Sequence, residues 1–128
     1  LVPGVVISNN VVAFNQQVGI EYSGDSNPGT MQTAPVPFGR IVNNSVIGTG
    51  VSIGIVVSQN ASPTLINNIV TDTAIGIQVD QSSSSTVIGA TLYSGNVIRT
   101  QGIGQGQFVI SVPNSDSIFD GRRFGCCE

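Results

Sequence analysis

The chain has 128 residues, a formal net charge of −3 and only 9% charged residues. All four cations are arginine and histidine is absent, which excludes histidine metal sites and histidine-based catalytic triads. The scattered arginines form no basic patch for nucleic acid, and no apolar run reaches the roughly 18 residues of a membrane span. Nucleic-acid binding and membrane insertion are therefore excluded as functions.

Short strands joined by tight turns are the elements that this composition predicts, because Val and Ile favour strands whereas Asn and the 16 Gly tolerate turns. Four similar segments begin at Val5, Arg40, Thr64 and Thr86. In chain order they read VVISNNVVAFNQQVGIEYSG, RIVNNSVIGTGVSIGIVVSQ, TLINNIVTDTAIGIQVDQSS and TVIGATLYSGNVIRTQG. We align Gly89 and Ala90 of the last segment with the asparagine pair of the others.

A period of about 22 to 24 residues is typical of solenoid proteins. The apolar runs last three to five residues, which is too short for helical repeats, and the chain has too few leucines for leucine-rich repeats. A parallel β-solenoid fits the pattern, with three short strands in each repeat and successive repeats stacked ~4.8 Å apart. Its inward side chains form stacks of Val and Ile.

Two recurring elements have a physical explanation in such a solenoid. An asparagine tolerates the left-handed backbone of a sharp corner, and stacked asparagines can form an internal ladder of side-chain hydrogen bonds. The residues predicted for this ladder are Asn9, Asn10, Asn43, Asn44, Asn67 and Asn68. A glycine between two apolar residues predicts a second bend, where the missing side chain relieves crowding, at Gly19, Gly54 and Gly76.

The repeated NNxV…GI pattern, over roughly residues 5 to 100, resembles the right-handed parallel β-helix family, the pectin-lyase-like superfold. The resemblance implies an all-β, right-handed solenoid of about four to five turns. That family includes polysaccharide lyases, glycoside hydrolases, phage tailspikes, adhesins and purely structural surface proteins, so the resemblance alone does not choose a function.

Residues 1–128 are interpreted as a single β-helix domain or as a segment of a longer β-helix. A long inserted loop is predicted over residues 23–39, either as a tolerated surface loop or as a ligand loop with Asp25 and Arg40 as its candidate residues. Residues 101–128 are predicted to be a degenerate last turn and tail, with a strand over residues 108–112. Its adjacent cysteines, Cys126 and Cys127, belong either to a frayed tail or to an intermolecular disulfide.

No catalytic group is predicted, and no metal or cofactor is expected. Asp72 and Asp80 fall on different parts of the repeat and are interpreted as solvated turn charges rather than as a pair of catalytic carboxylates. We therefore expect a non-enzymatic structural or interaction module, extracellular or on a cell surface. Its expected partner is either itself, in an end-to-end or lateral homo-oligomer such as a filament, or the rest of a longer chain. The alternative is a carbohydrate-active enzyme or a glycan-binding β-helix, with a polysaccharide site near residues 23–39.

Overall fold

The computed structural model describes residues 4–25 and 38–102, and the backbone of residues 109–110. In chain order its strands are β1 (Val5–Ser8), β2 (Val11–Ala13), β3 (Val18–Ser23), β4 (Phe38–Val42), β5 (Ser45–Ile47), β6 (Ile53–Ser58), β7 (Ser62–Ile66), β8 (Ile69–Thr71), β9 (Ile75–Val79), β10 (Val87–Gly89), β11 (Leu92–Ser94), β12 (Ile98–Gln101) and β13 (Val109–Ile110). One turn of 3-10 helix, Gln81–Ser83, precedes β10.

Every third strand belongs to the same sheet. Sheet A contains β1, β4, β7, β10 and β13, sheet B contains β2, β5, β8 and β11, and sheet C contains β3, β6, β9 and β12, each in that spatial order. All of the pairings are parallel. The chain thus visits the three sheets in a fixed order and lays each new set of strands on the previous one. This is an all-β architecture consistent with the predicted β-solenoid.

The core lies between the three sheets because alternate residues of each strand point inward. Ile41, Leu65 and Ile88 are register neighbours in sheet A and are fully or almost fully buried. Val46 and Val70 stack in the same way in sheet B. Sheet C adds the buried pairs Ile55 with Ile77 and Val57 with Val79. The stacks of similar apolar side chains that the repeat predicts are therefore the core.

Three corners join the sheets, and they differ in length. The A–B corner is short and regular, with residues 9–10, 43–44, 67–68 and 90–91 between successive strands. The C–A corner is variable, since residues 24–37 join β3 to β4 whereas residues 59–61 join β6 to β7. Strand register is nevertheless kept on both sides of it, with Ser23 beside Ser58 and Phe38 beside Ser62.

Some predicted boundaries differ from the observed ones. The insertion predicted over residues 23–39 is too wide, because Ser23 ends β3 and Phe38 begins β4. Of the strand predicted over residues 108–112, the described part is β13, which pairs with β10. In the last segment the alignment is wrong by one residue. Ala90 and Thr91, not Gly89 and Ala90, take the places of the asparagine pair, because Gly89 pairs with Ile66.

No helix in the described ranges is long and apolar enough to cross a membrane.

Candidate functional site

The two asparagines of each pair have different roles. The first, at Asn9, Asn43 and Asn67, is exposed and has a φ of 60°, 57° and 56°, respectively. These residues supply the left-handed backbone of the A–B corner, which asparagine tolerates better than other residues with a side chain. The prediction that they also belong to the internal ladder is wrong, because consecutive residues at the corner point in different directions.

The second asparagine of each pair forms the ladder. Asn10 Nδ2 donates to Asn44 Oδ1, and Asn44 Nδ2 donates to Asn68 Oδ1, each at 3.1 Å. The main-chain N–H groups of Asn10 and Asn44 donate to the same two oxygens, also at 3.1 Å. Asn44 and Asn68 are each 1% exposed. Burial of these amides is therefore balanced by hydrogen bonds from one coil to the next.

The ladder amides also bind backward to sheet A of the preceding coil. Asn44 Nδ2 donates to the Ile7 carbonyl at 2.9 Å, and Asn68 Nδ2 donates to the Ile41 carbonyl at 2.8 Å. At the last described step Thr91 replaces asparagine, and its hydroxyl donates to the Gly89 carbonyl at 3.1 Å. The corner backbone is kept there as well, since Ala90 has a φ of 46°.

The B–C corner contains a shorter ladder that the sequence analysis missed. The Thr73 main-chain N–H and its hydroxyl both donate to Asn96 Oδ1, at 3.0 Å and 2.6 Å. Asn96 Nδ2 donates backward to the Val70 carbonyl at 2.8 Å. The equivalent position, two residues after each sheet B strand, is occupied by Asn15, Thr49, Thr73 and Asn96, so no single residue type repeats there as a clear signal. Its signal in the sequence is Asn96 directly after Gly95, a turn dipeptide before a strand.

The C–A corner is held by a carboxylate. Asp80 Oδ2 accepts from the Gln59 N–H at 2.8 Å, and Asp80 Oδ1 accepts from the Ser82 hydroxyl at 2.7 Å and the Ser83 N–H at 2.8 Å. Ser82 in turn accepts from the Asn60 N–H at 2.9 Å. Gln59 and Asn60 both have positive φ, 56° and 62°. The interpretation of Asp80 as a merely solvated charge is therefore wrong.

These donors affect the protonation of Asp80. Burial raises the pKa of its carboxyl group, but the hydrogen bonds from Gln59, Ser82 and Ser83 outweigh burial, and the pKa is held below the ordinary aspartate value. Asp72, in contrast, is exposed at the B–C corner and has a φ of 55°. Asp72 and Asp80 lie at different corners, in agreement with their separation in the repeat.

The three repeated glycines lie inside strands of sheet C. A Cβ on Gly54 would lie 2.5 Å from the Gly76 carbonyl oxygen and 2.6 Å from Val70 Cγ1. A Cβ on Gly19 would lie 2.7 Å from both the Gly54 carbonyl oxygen and Val46 Cγ1. A Cβ on Gly76 would lie 3.2 Å from the Tyr93 ring. Burial raises the pKa of that tyrosine to about 12. The glycines thus make room for sheet B side chains, and none of them has positive φ.

One end of the stack is open in the described part of the chain. β1, β2 and β3 are the outermost strands of their sheets, so each has one edge without a strand neighbour. Ile7 and Val12 continue the inward stacks of sheets A and B, yet both are only half-buried. Val5, also at an inward position, is 36% exposed. We call these three free edges and their inward side chains the open end.

A shallow groove of about 370 Å³ lies on the outer face of sheet A. Phe38, which is 51% exposed, and Arg40 lie on its central strand, with Ser62 and Thr64 beside them. Asp25 does not line this groove; it is half-buried at the C–A corner, where its carbonyl accepts from Asn60 Nδ2 at 2.8 Å. The two candidate ligand residues, Asp25 and Arg40, therefore lie in different places.

Within the described ranges, no group of three or more His, Cys, Asp or Glu side chains is placed to hold a metal ion. Cys126 and Cys127 lie outside the described residues, as does most of the loop predicted over residues 23–39. Comparison with protein families, with curated proteins and with solved structures gave no match for this chain.

Proposed function

We propose that the chain is a non-enzymatic structural module, a right-handed parallel β-helix of about four to five turns related to the pectin-lyase-like superfold. Its open end binds a further copy of the chain, or another part of a longer polypeptide, in an extracellular or cell-surface assembly. The observation that carries this proposal is the open end, where three strand edges and the half-buried Ile7 and Val12 lie side by side.

Free parallel edges over an apolar core favour the addition of another coil. An unpaired edge presents a row of N–H and C=O groups to a neighbouring strand, and solenoids without a polar cap associate through their ends. Inside the chain the same edges are covered by the next coil, and the equivalent inward residues, such as Ile41 and Val46, become 0% and 1% exposed. A second copy placed on the open end would bury Ile7 and Val12 in the same way.

Size-exclusion chromatography with light scattering, at increasing concentrations, tests the association. We expect the parent chain to form rods that grow with concentration and are visible in negative stain. Val12→Lys, at the open end, stays folded by circular dichroism but monomeric. The matched control Val51→Lys, at a position 73% exposed between β5 and β6, assembles like the parent. A parent chain that remains monomeric at all concentrations would refute the proposal.

The groove on sheet A favours a second candidate, the binding of an acidic glycan. An exposed aromatic ring can stack on a sugar, an arginine binds a carboxylate through two parallel hydrogen bonds, and the serine and threonine hydroxyls can contact sugar hydroxyls. Phe38, Arg40, Ser62 and Thr64 supply these groups on neighbouring strands.

Calorimetric titration with a uronic-acid oligosaccharide, and with a neutral one of equal length, tests the second candidate. Binding of the acidic oligosaccharide should be lost in Arg40→Ala and kept in Thr71→Ala, a change on the outer face of sheet B. Equal affinity of the parent and Arg40→Ala, or no binding at millimolar concentration, would exclude the groove as a site.

A further inference from the structure

The A–B corner between β4 and β5 contains an acceptor triplet for N-linked glycosylation. Asn43-Asn44-Ser45 has the pattern Asn-x-Ser, in which x is any residue except proline. The sequence contains a second such triplet, Asn60-Ala61-Ser62, at the C–A corner between β6 and β7. The surroundings of the two asparagines decide which of them can carry a bulky sugar.

The side-chain amide of Asn43 is free to react. The side chain is exposed, and within the described ranges it makes no hydrogen bond, because the ladder bonds of this corner are made by Asn44. The backbone is held independently of the side chain, since the Asn43 N–H donates to the Ile66 carbonyl at 3.2 Å. A substituent on Asn43 Nδ2 therefore removes no hydrogen bond from the ladder or from the corner.

The hydroxyl group of the triplet also faces outward. Ser45 precedes the inward Val46 on β5, so its side chain lies on the outer face of sheet B. Its register neighbours on that face, Val11 and Ile69, are 75% and 39% exposed. Asn43 and Ser45 thus lie on the outside of the coil, one on either side of the buried Asn44. A sugar on Asn43 would displace no core side chain.

The second triplet is placed differently. Asn60 is half-buried, and its Nδ2 already donates to the Asp25 carbonyl at 2.8 Å. The middle residue, Ala61, is 0% exposed, and Pro63 follows the triplet and restricts the backbone of Ser62. A sugar on Asn60 would have to fit into a packed corner. The fold therefore favours Asn43 over Asn60.

We propose that Asn43 is the acceptor of an N-linked oligosaccharide, transferred from a lipid diphosphate donor in a secretory compartment. Nδ2 attacks the anomeric carbon of the sugar, the new C–N bond replaces the bond from that carbon to the phosphate oxygen, the lipid diphosphate leaves, and Nδ2 releases one proton. This inference rests on the proposed extracellular or cell-surface location and adds a covalent modification to it. A corner that carries a hydrophilic oligosaccharide faces solvent in any assembly.

Secretion of the full chain from eukaryotic cells, behind a cleavable signal peptide, tests the site. The intact mass of the secreted chain is measured before and after digestion with a peptide N-glycosidase, which removes the sugar and leaves aspartate. Trypsin does not separate the two triplets, because the chain has no lysine and both lie between Arg40 and Arg99. Matched variants therefore assign the site, with Ser45→Ala removing the first triplet and Ser62→Ala the second.

The expected result is one oligosaccharide per chain, lost completely in Ser45→Ala and kept in Ser62→Ala and in Ser45→Thr, which retains the hydroxyl. If Ser45→Ala is not secreted, Asn43→Gly takes its place, since glycine keeps the left-handed corner. A secreted parent without carbohydrate, or carbohydrate that persists in Ser45→Ala, would overturn the proposal. Neither outcome bears on self-association, and a glycosylated parent that remains monomeric would refute self-association alone.

Discussion

At the scale of single residues, each asparagine pair combines two requirements that one side chain cannot meet. The first position needs a left-handed backbone and points to solvent, whereas the second must satisfy buried polar groups of two neighbouring coils. Asn43 and Asn44 are adjacent in sequence, yet the first is exposed and the second is 1% exposed. Substitution at the two positions should therefore have very different consequences.

Asn44→Ala should lower the free energy of unfolding by about 3 kcal/mol, because it removes the acceptor of the Asn10 N–H, the side-chain donor to the Ile7 carbonyl and one of the two donors to Asn68 Oδ1. Asn43→Gly keeps the left-handed corner and should change it by less than about 1 kcal/mol. Urea denaturation of both variants measures the difference. Equal effects at the two positions would mean that the ladder contributes nothing to stability.

For Gly54→Ala, two physical arguments predict opposite changes in the free energy of unfolding. Its φ is not in the left-handed region, so strand propensity alone predicts that alanine would stabilise the chain by about 0.5–1 kcal/mol. The close approach of the Gly76 carbonyl and Val70 predicts the opposite, a loss of about 2–3 kcal/mol from overpacking. Denaturant unfolding of Gly54→Ala distinguishes the two. Gly50→Ala is the comparison for backbone strain alone, because an added Cβ meets nothing within 4 Å there but φ is +83°. Stabilisation by Gly54→Ala would contradict the packing argument.

At the scale of the structural elements, each corner uses its own polar chemistry to hold neighbouring coils together. The A–B corner uses amide on amide, the B–C corner uses threonine on asparagine, and the C–A corner uses a carboxylate beneath two consecutive left-handed residues. Of the three, only the last contains an ionised group that receives several of the corner's hydrogen bonds. It is therefore the corner that should respond to pH.

The Asp80 carboxylate stabilises the fold when it is ionised. Its pKa is lower in the folded chain than in the unfolded chain, so its contribution is present above the unfolded value of about 3.9 and is lost as the pH falls through the folded pKa. Asp80→Asn should therefore be less stable than the parent at pH 7, and this difference should shrink below about pH 4. The control is Asp72→Asn, which removes one negative charge at a different corner and so shows the effect of the changed net charge alone. The measurement is urea denaturation between pH 7 and pH 2.5, and a difference that does not change with pH would contradict the role of Asp80.

The sequence predicts the architecture well because the architecture is repetitive. Residues such as Ile41 and Leu65, or Asn44 and Asn68, occupy the same environment in successive coils, so selection for that environment leaves the same residue type at each period. Where a hydrogen-bonded pair forms at only one step of the described stack, the pattern has nothing to repeat. Thr73 with Asn96, and Asp80 with Gln59, were missed or misinterpreted for that reason.

The sequence predicts where an A–B corner lies more easily than it predicts which residue of that corner faces the core. The asparagine pairs mark the A–B corner correctly, but the alternation of side-chain direction depends on φ, which the sequence does not display. The fourth repeat shows the limit most clearly. Ala90 adopts positive φ although alanine gives no sign of it, and Thr91 makes a hydrogen bond within its own corner in place of the amide ladder.

At the scale of the whole molecule, the described chain is a one-dimensional stack in which each coil contacts only its neighbours. In such stacks the terminal units are less stable than the interior, because they have one interface instead of two. The hydrogen-bonded edges of β1 and β2 should open more readily than those of β5 and β8, which have a strand on either side.

Amide hydrogen exchange followed by mass spectrometry should show this gradient. Peptides covering β5 to β9 are expected to exchange more slowly than peptides covering β1 and β2 in the dilute chain. At concentrations where filaments form, protection of β1 and β2 should rise toward that of the interior, while Val12→Lys retains the gradient. Uniform exchange along the stack would contradict the nearest-neighbour description.

The unequal lengths of the C–A corner have a consequence for how such a protein can change. Residues 24–37 and residues 59–61 connect equivalent strands, and the register on either side is the same. The number of residues at this corner is thus decoupled from the geometry of the sheets, and a longer or shorter connection need not disturb the core. The C–A corner can therefore differ in length from coil to coil while the sheets stay constant, provided that contacts between neighbouring corners, such as that of Asp80 with Gln59, are kept.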